Sequence, residues 1–473
     1  MTHDVIVVGA GAAGCLVANR LAADPGRTVL LIEAGAYFPS RADWPVDLID
    51  GYGIPRGPDW EYAAAGLPLP RGKVVGGSTS VNYCVALRSR PADHRAWADP
   101  GLPRWSWDEV APVYAAIEDR DGTEPGHVPV RSSGRDGLTD SQQRFLEAAE
   151  SEGFSFAADL NAPDAMGVGL TPLNQVDGIR YNAALVYLAE AARHPNLEIL
   201  ADTEVAGLVI RNRRVVGVRL DYGEEIHAGE VILCAGAYGS PVVLLRSGIG
   251  PADHLRDVGV EVVADVPGVG SNLREHPATM AVFAAKPEEK NGPAAPLRTM
   301  ITLRSTPAEP DIDLHIHAVA TGPTAEPDGH VTGHDFRMTV GLVAPRSVGS
   351  VRLRTPDGTP LIDPGFLGHP ADAPRLAAGL KVVRRLAARS PLADVLVAER
   401  DTGSGIGTYH HPVGTCRMGR DRDAVVDELC RVHEIEGLSV IDASVMPVSP
   451  RATTTLPVLM LAEHAMRLRA ERM

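Results

Sequence analysis

Two short apolar runs near the start of the chain are separated by a segment with helical spacing. Residues 5–8 form the first run, 12–23 the helix-like segment and 29–32 the second run, after a Pro-Gly break. Four-residue apolar runs bounded by turn residues are typical of buried strands. The first 35 residues therefore predict a strand, a helix and a second strand.

The later apolar pattern predicts more elements of both kinds. Helical spacing recurs at 142–150, 183–191 and 375–388, and strand-like runs occur at 196–200, 205–210, 215–220, 231–233, 311–317, 338–343 and 350–353. The run at 231–233 leads into a glycine and then a helix, as expected where a chain re-enters a parallel sheet beside its first unit. The pattern predicts an α/β fold with a Rossmann-like unit and a further strand-rich region.

The segment 311–317, DIDLHIH, alternates strictly between polar and apolar residues. In a strand, this alternation places Asp311, Asp313, His315 and His317 on one face. Two histidines and two aspartates are possible metal ligands, but neighbours at i and i+2 point the same way without converging. We therefore predict a polar sheet face that lines a cavity, and no metal site.

Length and composition limit the class of protein. A chain of 473 residues favours two domains, and a net charge of −15 disfavours nucleic acid and anionic membranes as partners. No apolar run is long enough to span a bilayer, and the first strand lies too close to Met1 for a secretory signal, so we expect a cytoplasmic protein. The five cysteines lack C-x-x-C spacing and indicate buried residues in a reducing compartment.

The first strand and helix carry a candidate nucleotide site. Gly9, Gly11 and Gly14 fit G-x-G-x-x-G, and Glu33 ends the second strand. Such glycines allow a tight turn and a close approach of the backbone to a pyrophosphate, while the carboxylate accepts from ribose hydroxyls. The alternative is an incidental glycine turn. An acid at this position argues against the 2′-phosphate of NADP but does not separate NAD from FAD.

Two other segments are candidates for function. The loop at 76–79, Gly-Gly-Ser-Thr, is either a plain turn or a set of backbone N–H groups that face an anion or a ring. Near the end of the chain, His410 and His411 stand before a proline and a glycine turn in TYHHPVGTCRMG. A structural histidine is the simpler interpretation, but a histidine pair in such a loop is also typical of a site.

Seven motifs in fixed order resemble those of the glucose-methanol-choline (GMC) flavoprotein oxidoreductases, across essentially the whole chain. They are the N-terminal glycine motif with LLIEAG, GKVVGGSTSVN, GAYGSPVVLLRSGIG, VPGVGSNLREHP, PLIDPGFL, HPVGTCRMG and VIDASVMP. Several long motifs in order are far more specific than one. The short length and the segment PLNQVDGIR at 172–180 are also similar to members associated with the redox cofactor mycofactocin.

The resemblance implies an architecture and a cofactor. It implies a discontinuous FAD-binding domain formed by residues 1–100, 196–275 and 425–473. It also implies a substrate-binding domain with an antiparallel sheet, formed by residues 101–195 and 276–424. Some family members attach FAD to a histidine immediately before the signature asparagine. Here that position is Val81, so we expect FAD to be bound non-covalently.

The resemblance also implies a reaction. In the family, a histidine takes the hydroxyl proton of an alcohol while hydride passes to flavin N5, and electrons go on to O2 or another acceptor. His411 occupies the catalytic position, with His410 as the fallback. The family's second catalytic residue, His or Asn, corresponds to Thr455, which cannot act as a second base. A redox-neutral, hydroxynitrile-type lyase and a flavin-binding protein with little turnover are the alternatives.

The remaining site residues follow from the same resemblance. A small-molecule alcohol is the expected substrate, and His315 and His317 are its candidate contacts. The residues expected to contact FAD are Gly9, Gly11, Ala12, Ala13, Gly14, Glu33, Ala34, Gly76, Gly77, Ser78, Asn82, Val205, Ala235, Gly236, Asp442, Ala443, Thr454 and Leu456.

Overall fold

The computed structural model describes residues 3–53, 57–99, 101–120, 128–286, 297–325, 331–400 and 405–472. Its strands, in chain order, are β1 (His3–Val8), β2 (Val29–Ile32), β3 (Ala63–Ala64), β4 (Leu67–Pro68), β5 (Glu118–Asp119), β6 (Val128–Pro129), β7 (Phe156–Ala157), β8 (Gly167–Leu170), β9 (Gln175–Val176), β10 (Ile179–Arg180), β11 (Leu197–Leu200), β12 (Val205–Arg211), β13 (Arg214–Leu220), β14 (Glu225–Leu233), β15 (Ile249–Gly250), β16 (Ala264–Asp265), β17 (Pro277–Ala285), β18 (Thr299–Leu303), β19 (Leu314–Ala325), β20 (Val331–Leu342), β21 (Ser350–Arg352), β22 (Leu361–Asp363), β23 (Leu396–Arg400), β24 (Gly407–Thr408) and β25 (Leu438–Val440).

The α-helices of the described residues are α1 (Ala12–Ala22), α2 (Val46–Ile49), α3 (Pro91–Ala98), α4 (Trp107–Ile117), α5 (Asp140–Ser151), α6 (Ala189–Ala191), α7 (Gly236–Arg246), α8 (Ala252–Asp257), α9 (Asp372–Ala387) and α10 (Thr455–Ala470). The helix predicted at 183–191 is a π-helical turn, Ala184–Leu188, that continues into α6. Apolar periodicity predicts a helix of some kind, but it does not distinguish π from α hydrogen bonding.

The first large sheet has seven strands in the order β11-β2-β1-β14-β13-β12, with β25 paired to β14. The strands β11, β2, β1, β14 and β25 run parallel, whereas β12, β13 and the first half of β14 form an antiparallel meander. β1 and β2 are buried on both faces, which explains their continuous apolar runs. The predicted re-entry beside the first strand is confirmed, since β14 pairs with β1.

The second large sheet has eight strands in the order β23-β17-β20-β19-β18-β8-β7, with β24 paired to β17. All its pairs are antiparallel except β7 with β8. Helices α5 and α9 cover one face, where Leu314 and Ile316 of β19 pack with Phe145 and Val383. The sequence pattern did not predict β17 and β18 of this sheet.

The polar face expected from residues 311–317 is smaller than predicted. β19 begins at Leu314, so both aspartates of the segment precede it and do not join the sheet face. Asp311 pairs with Arg90 at 2.9 Å, and Asp313 is buried against Arg375 at 2.7 Å. Buried carboxylates need such partners because their desolvation is costly. Only the two histidines of the segment remain on the strand face opposite the helices.

The five cysteines are buried, and none forms a disulfide. Among the helices that the structure describes, none is both long and apolar enough to cross a membrane.

Candidate active site

The first glycine loop connects β1 to α1 with the conformation that its sequence predicts. Gly9 has a φ of +95°, and a side chain there would lie 2.7 Å from the Cys234 carbonyl oxygen. A side chain on Gly14 would collide with the Gly9 carbonyl oxygen. Gly11, in contrast, faces open space and precedes α1 without a side-chain cap. The unpaired N–H groups of the helix start are therefore accessible to an anion.

Glu33 ends β2 and lies almost fully buried beside this loop. Its Oε2 accepts from the Ala10 N–H at 2.8 Å and its Oε1 from the Gly35 N–H at 3.0 Å. Burial raises the pKa of Glu33 to about 7, against the effect of these donors. Thr203 donates its N–H to the Glu33 carbonyl at 2.9 Å, which brings the start of β12, at Val205, close to the same place.

The second glycine loop lies directly against the first. Gly76 has a φ of +96° and donates its N–H to the Ala10 carbonyl at 2.7 Å. A side chain on Gly77 would lie 2.8 Å from the Gly11 Cα, so only backbone fits between the two loops. Ser78 is half-buried at the same turn. The structure therefore joins two glycine motifs through contacts between residues 66 positions apart in the sequence.

A third segment, which contains Asp442, contacts the start of α7 beside these loops. Its Oδ2 accepts from the Gly236 N–H at 2.8 Å, and its Oδ1 accepts from the Ser444 N–H at 2.7 Å. Burial raises the pKa of the Asp442 carboxyl. Ala235 and Ala443 are the sequence neighbours of Gly236 and Asp442, which the first of these hydrogen bonds joins. Gly236, with a φ of +79°, faces open space, as Gly11 does.

His411 is held in place through its backbone. Its N–H donates to Glu275 Oε1 at 2.6 Å, and the N–H of His276 donates to the same oxygen at 2.9 Å. Glu275 is 2% exposed, and burial raises its pKa to about 7. One carboxylate oxygen thus connects two histidine residues from distant segments.

An irregular strand pairing places His411 beside this carboxylate. Pro277 pairs with Thr408, and Arg274 with Val413, in antiparallel fashion. Between these two pairs, one segment contains four residues, 409–412, and the other contains only two, 275 and 276. The 408–413 segment therefore bulges. At the bulge, His410 adopts a φ of +67°, which is uncommon for a residue with a side chain. His410 is exposed, whereas the residue after it points inward.

The rings of His411 and His276 are in contact. Their Nδ1 atoms are 3.1 Å apart, and the rings meet edge to face at 84° with centroids 5.2 Å apart. Burial lowers the pKa of His411 well below its ordinary value and that of His276 to about 3. Both imidazoles are therefore neutral near pH 7.

Thr455 and Asn82 form the second polar pair near the start of α10. Asn82 Nδ2 donates to Thr455 Oγ1 at 3.3 Å, and Asn82 Oδ1 accepts from the Cys84 N–H at 2.9 Å. Thr454 is half-buried, whereas the Leu456 side chain is fully buried in the core. Leu456 is therefore able to reach a cofactor only through its backbone.

The two histidines of β19 lie close to His411, separated from it by a tyrosine. His315 and His317 are 0% and 1% exposed, and the Tyr409 ring centroid lies 6.4 and 5.7 Å from theirs. The same tyrosine ring lies 4.9 Å from the ring of His411. Burial lowers the pKa of His317 to about 3 and that of His315 well below its ordinary value.

Several polar atoms of this cluster lack a partner among the described residues. They are both ring nitrogens of His315, Nδ1 of His317 and the hydroxyl of Tyr409. Buried polar groups are almost always hydrogen-bonded, to protein, water or ligand. The cluster therefore fits a position that a polar molecule occupies during function.

Sequence reasoning missed three residues of this site: Glu275, His276 and Tyr409. A signal for His276 alone was present, because its dipeptide, His-Pro at 276–277, matches the one at 411–412, but the same dipeptide also occurs at 194–195 and 369–370. Only the pairing of β17 with β24 shows that the dipeptides at 276–277 and 411–412 are neighbours. Tyr409 carried no comparable signal.

Comparisons with known proteins identify the family of the chain. A family model described as GMC oxidoreductase matches residues 3–278 with its N-terminal part and residues 345–462 with its C-terminal part. An uncharacterized GMC-type oxidoreductase of Rhodococcus erythropolis is 35% identical over 98% of this chain and 97% of its own length. An alcohol dehydrogenase [acceptor] of Pseudomonas putida is 29% identical over 98% of this chain and 95% of its own length.

Among solved structures, pyridoxine 4-oxidase from Mesorbium loti superposes with a TM-score of 0.90 at 32% identity, covering 99% of each chain. The matched residues include both glycine loops, and the second family match includes His411 and Thr455. The resemblance that the motifs indicated is confirmed: the chain belongs to the GMC oxidoreductase family.

Proposed function

We propose that the protein oxidises an alcohol to an aldehyde or ketone, with FAD as cofactor and His411 as the group that removes the hydroxyl proton. The observation that carries the proposal is the neutral His411, which is held by Glu275 and His276 in the part of the chain that the family match covers. Two relatives support the class of substrate, since their names describe an alcohol dehydrogenase and a pyridoxine 4-oxidase.

The glycine loops fit the dinucleotide part of FAD. Gly11 and Gly236 both face open space, and the start of α1 offers uncapped N–H groups to a pyrophosphate. Glu33 lies at the end of β2, where its carboxylate would exchange a backbone donor for a ribose hydroxyl. When bound, FAD supplies the acceptor for the hydride. Val81 offers no nucleophile for a covalent link, so we propose non-covalent binding.

His411 is suited to remove a proton because burial keeps its imidazole neutral. Thr455 offers a hydroxyl that can hydrogen-bond the substrate oxygen but cannot accept a second proton at neutral pH. The Asn82 amide, 3.3 Å from that hydroxyl, orients it. We assign His411 the chemical role and Thr455 a weaker role in stabilising the developing negative charge. His410, which is exposed, is a neighbour that modulates the site.

His315 and His317 are proposed to contact the substrate. Their unpartnered nitrogens are neutral near pH 7 and offer hydrogen bonds without charge. The Tyr409 ring between them and His411 adds an aromatic surface. Among the described residues, no carboxylate hydrogen-bonds to the side chains of His315, His317 or Tyr409. We therefore expect an uncharged alcohol, with a ring or a second polar group, to bind better than a cationic one.

An anaerobic panel of alcohols tests the proposal. Loss of the absorbance of oxidised flavin on mixing identifies a substrate, and peroxide formation in air then separates an oxidase from a dehydrogenase. Conversion of a hydroxynitrile while the flavin stays oxidised would instead establish a lyase. Uncharged aromatic alcohols should reduce the flavin faster than choline does.

A further inference from the structure

We propose that His276 is a positioning residue that fixes the tautomer of His411, so that His411 carries its proton on Nδ1 and presents the lone pair of Nε2 to the substrate. The inference rests on the proposed function only for the identity of the substrate. The hydrogen bond between the two rings is a property of the protein itself.

The contact between the rings limits the protonation states. The two Nδ1 atoms are 3.1 Å apart, which is a hydrogen-bond distance. Both imidazoles are neutral near pH 7, so each ring has one N–H and one lone pair. One Nδ1 must therefore donate and the other accept. If both carried hydrogen, or both carried lone pairs, the contact would be repulsive.

The surroundings of His276 decide which ring donates. Its Nε2 is buried and makes no hydrogen bond of ordinary length to the described residues. The carbonyl groups of Pro450 and Val343 favour a proton on this ring. Because Nδ1 contacts His411, Nε2 is the nitrogen on which these carbonyls can favour a proton, and a lone pair there would gain nothing from them. A proton on Nε2 leaves Nδ1 of His276 as the acceptor, and His411 then donates from its own Nδ1.

Hydrogen bonds of the backbone fix the position of the two rings relative to each other. Glu275 Oε1 accepts from the N–H groups of both histidines, at 2.6 and 2.9 Å. The carbonyl of His276 accepts from the N–H of Tyr409 at 2.9 Å, so the two segments are joined on both sides of the contact. The imidazole pair is therefore held by three backbone hydrogen bonds, and its edge-to-face geometry does not depend on the side chains alone.

The consequence for reactivity follows from the tautomer. A histidine can take a proton only at a nitrogen that carries a lone pair, and in this arrangement that nitrogen is Nε2 of His411. Without His276, the ring would divide between two tautomers, and the one with hydrogen on Nε2 cannot act as base. The positioning role thus adds to catalysis without contact between His276 and the substrate.

Two variants of His276 test this role in the holoenzyme. His276→Asn keeps an acceptor oxygen near the position of Nδ1, whereas His276→Leu removes it. With an alcohol found in the panel, we expect the rate of anaerobic flavin reduction to fall by about 10²-fold or more in His276→Leu and by less than about 10-fold in His276→Asn. KM should change little in either. His227→Leu, on β14 of the other sheet, is the control. Equal losses in the Leu and Asn variants would overturn the proposal.

A second measurement does not depend on turnover. In protein labelled with nitrogen-15 in its histidine rings, the chemical shifts distinguish a protonated nitrogen from one with a lone pair, and the His411→Gln variant assigns the resonance. We expect His411 to show hydrogen on Nδ1 in the wild type and in His276→Asn, and a mixture in His276→Leu. Hydrogen on Nε2 of His411 in the wild type would refute the inference, even if His276→Leu does not fold. If no alcohol reduces the flavin, the proposed function fails while this result still stands.

Discussion

Asn82 donates a hydrogen bond to Thr455 at 3.3 Å across 373 positions of sequence. The contact joins the second glycine loop to the start of α10, and both belong to segments that the family match covers. It also shows that the threonine hydroxyl already has a donor. Its oxygen is therefore oriented, and its hydrogen remains available for a substrate oxygen.

Removing His411 should have a far larger effect than removing Thr455. We expect His411→Ala to abolish measurable flavin reduction, because a general base contributes about 10²–10⁴-fold. Thr455→Ala should slow reduction only about 10-fold, the effect of one neutral hydrogen bond. Anaerobic stopped-flow with one substrate measures both, at matched flavin content. The reverse order would refute the assignment of the base.

The cofactor should leave the protein without breaking a covalent bond. Since Val81 stands where a histidine would be needed, acid precipitation of the holoenzyme should release all of the flavin into the supernatant. Absorbance of the supernatant and of the washed pellet measures the two fractions. Flavin that stays with the pellet after denaturation would show a link through another residue.

Two glycines of the first loop should respond differently to alanine. A methyl group on Gly11 meets nothing within 4 Å, so Gly11→Ala should fold normally but fill the space beside the helix start. We expect its FAD affinity to fall about 10-fold or more, since the backbone can no longer approach the pyrophosphate closely. Fluorescence titration of the apoprotein measures the affinity, and circular dichroism confirms the fold.

Gly14→Ala is the matched comparison. Its methyl group would collide with the Gly9 carbonyl, so this variant should lose folded protein before it loses affinity. A Gly14→Ala protein as stable as the wild type would show that the loop relaxes. A Gly11→Ala protein with unchanged FAD affinity would remove Gly11 from the cofactor site.

Buried neutral histidines should make stability fall in acid. The folded pKa of His317 is about 3, against an ordinary value of 6.5, so between these values the unfolded chain binds a proton that the folded chain does not. Stability from this residue is complete above about pH 6.5 and decreases as the pH falls, by about 1.4 kcal/mol per unit. His317→Gln lacks this titration.

Thermal unfolding at pH 7 and pH 5 tests the effect. The wild type should lose about 2 kcal/mol more than His317→Gln over this interval, seen as a larger drop in Tm. Glu275 acts in the opposite direction, because its folded pKa of about 7 makes stability fall as the pH rises from about 4.5 to 7. Because Glu275 is present in both proteins, the difference between the wild type and His317→Gln isolates the contribution of His317. Equal drops in Tm would mean that His317 is hydrated and titrates normally.

Local pattern was sufficient for the start of the chain and for several later elements, but it did not predict others, such as β17, β18 and α10. The strand, helix and strand at the start of the chain appear as β1, α1 and β2, with differences of one or two residues at the ends. Each of these elements is buried along its whole length or on one face, so its apolar period is visible in the sequence. The start of β19 was wrong because Asp311 and Asp313 alternate correctly but pair with distant arginines.

The order of the motifs was sufficient for the family, and through it for the choice of His411 and Thr455 as residues to test. The order of the motifs did not predict which side chains surround these two residues. His276 and Tyr409 reach His411 only because β17 pairs with β24 and the following segment bulges at His410. The chemistry of His411 depends on those neighbours.

The sequence alone therefore determined the elements at the start of the chain, the cofactor class to expect and the candidate base, since these depend on residue order and local periodicity. The tertiary structure decided the burial that keeps His276, His315, His317 and His411 neutral. It also decided the hydrogen bond that joins His276 to His411. The physical reason is that burial and hydrogen-bond partners arise from contacts between segments far apart in the sequence, and no local pattern specifies such contacts.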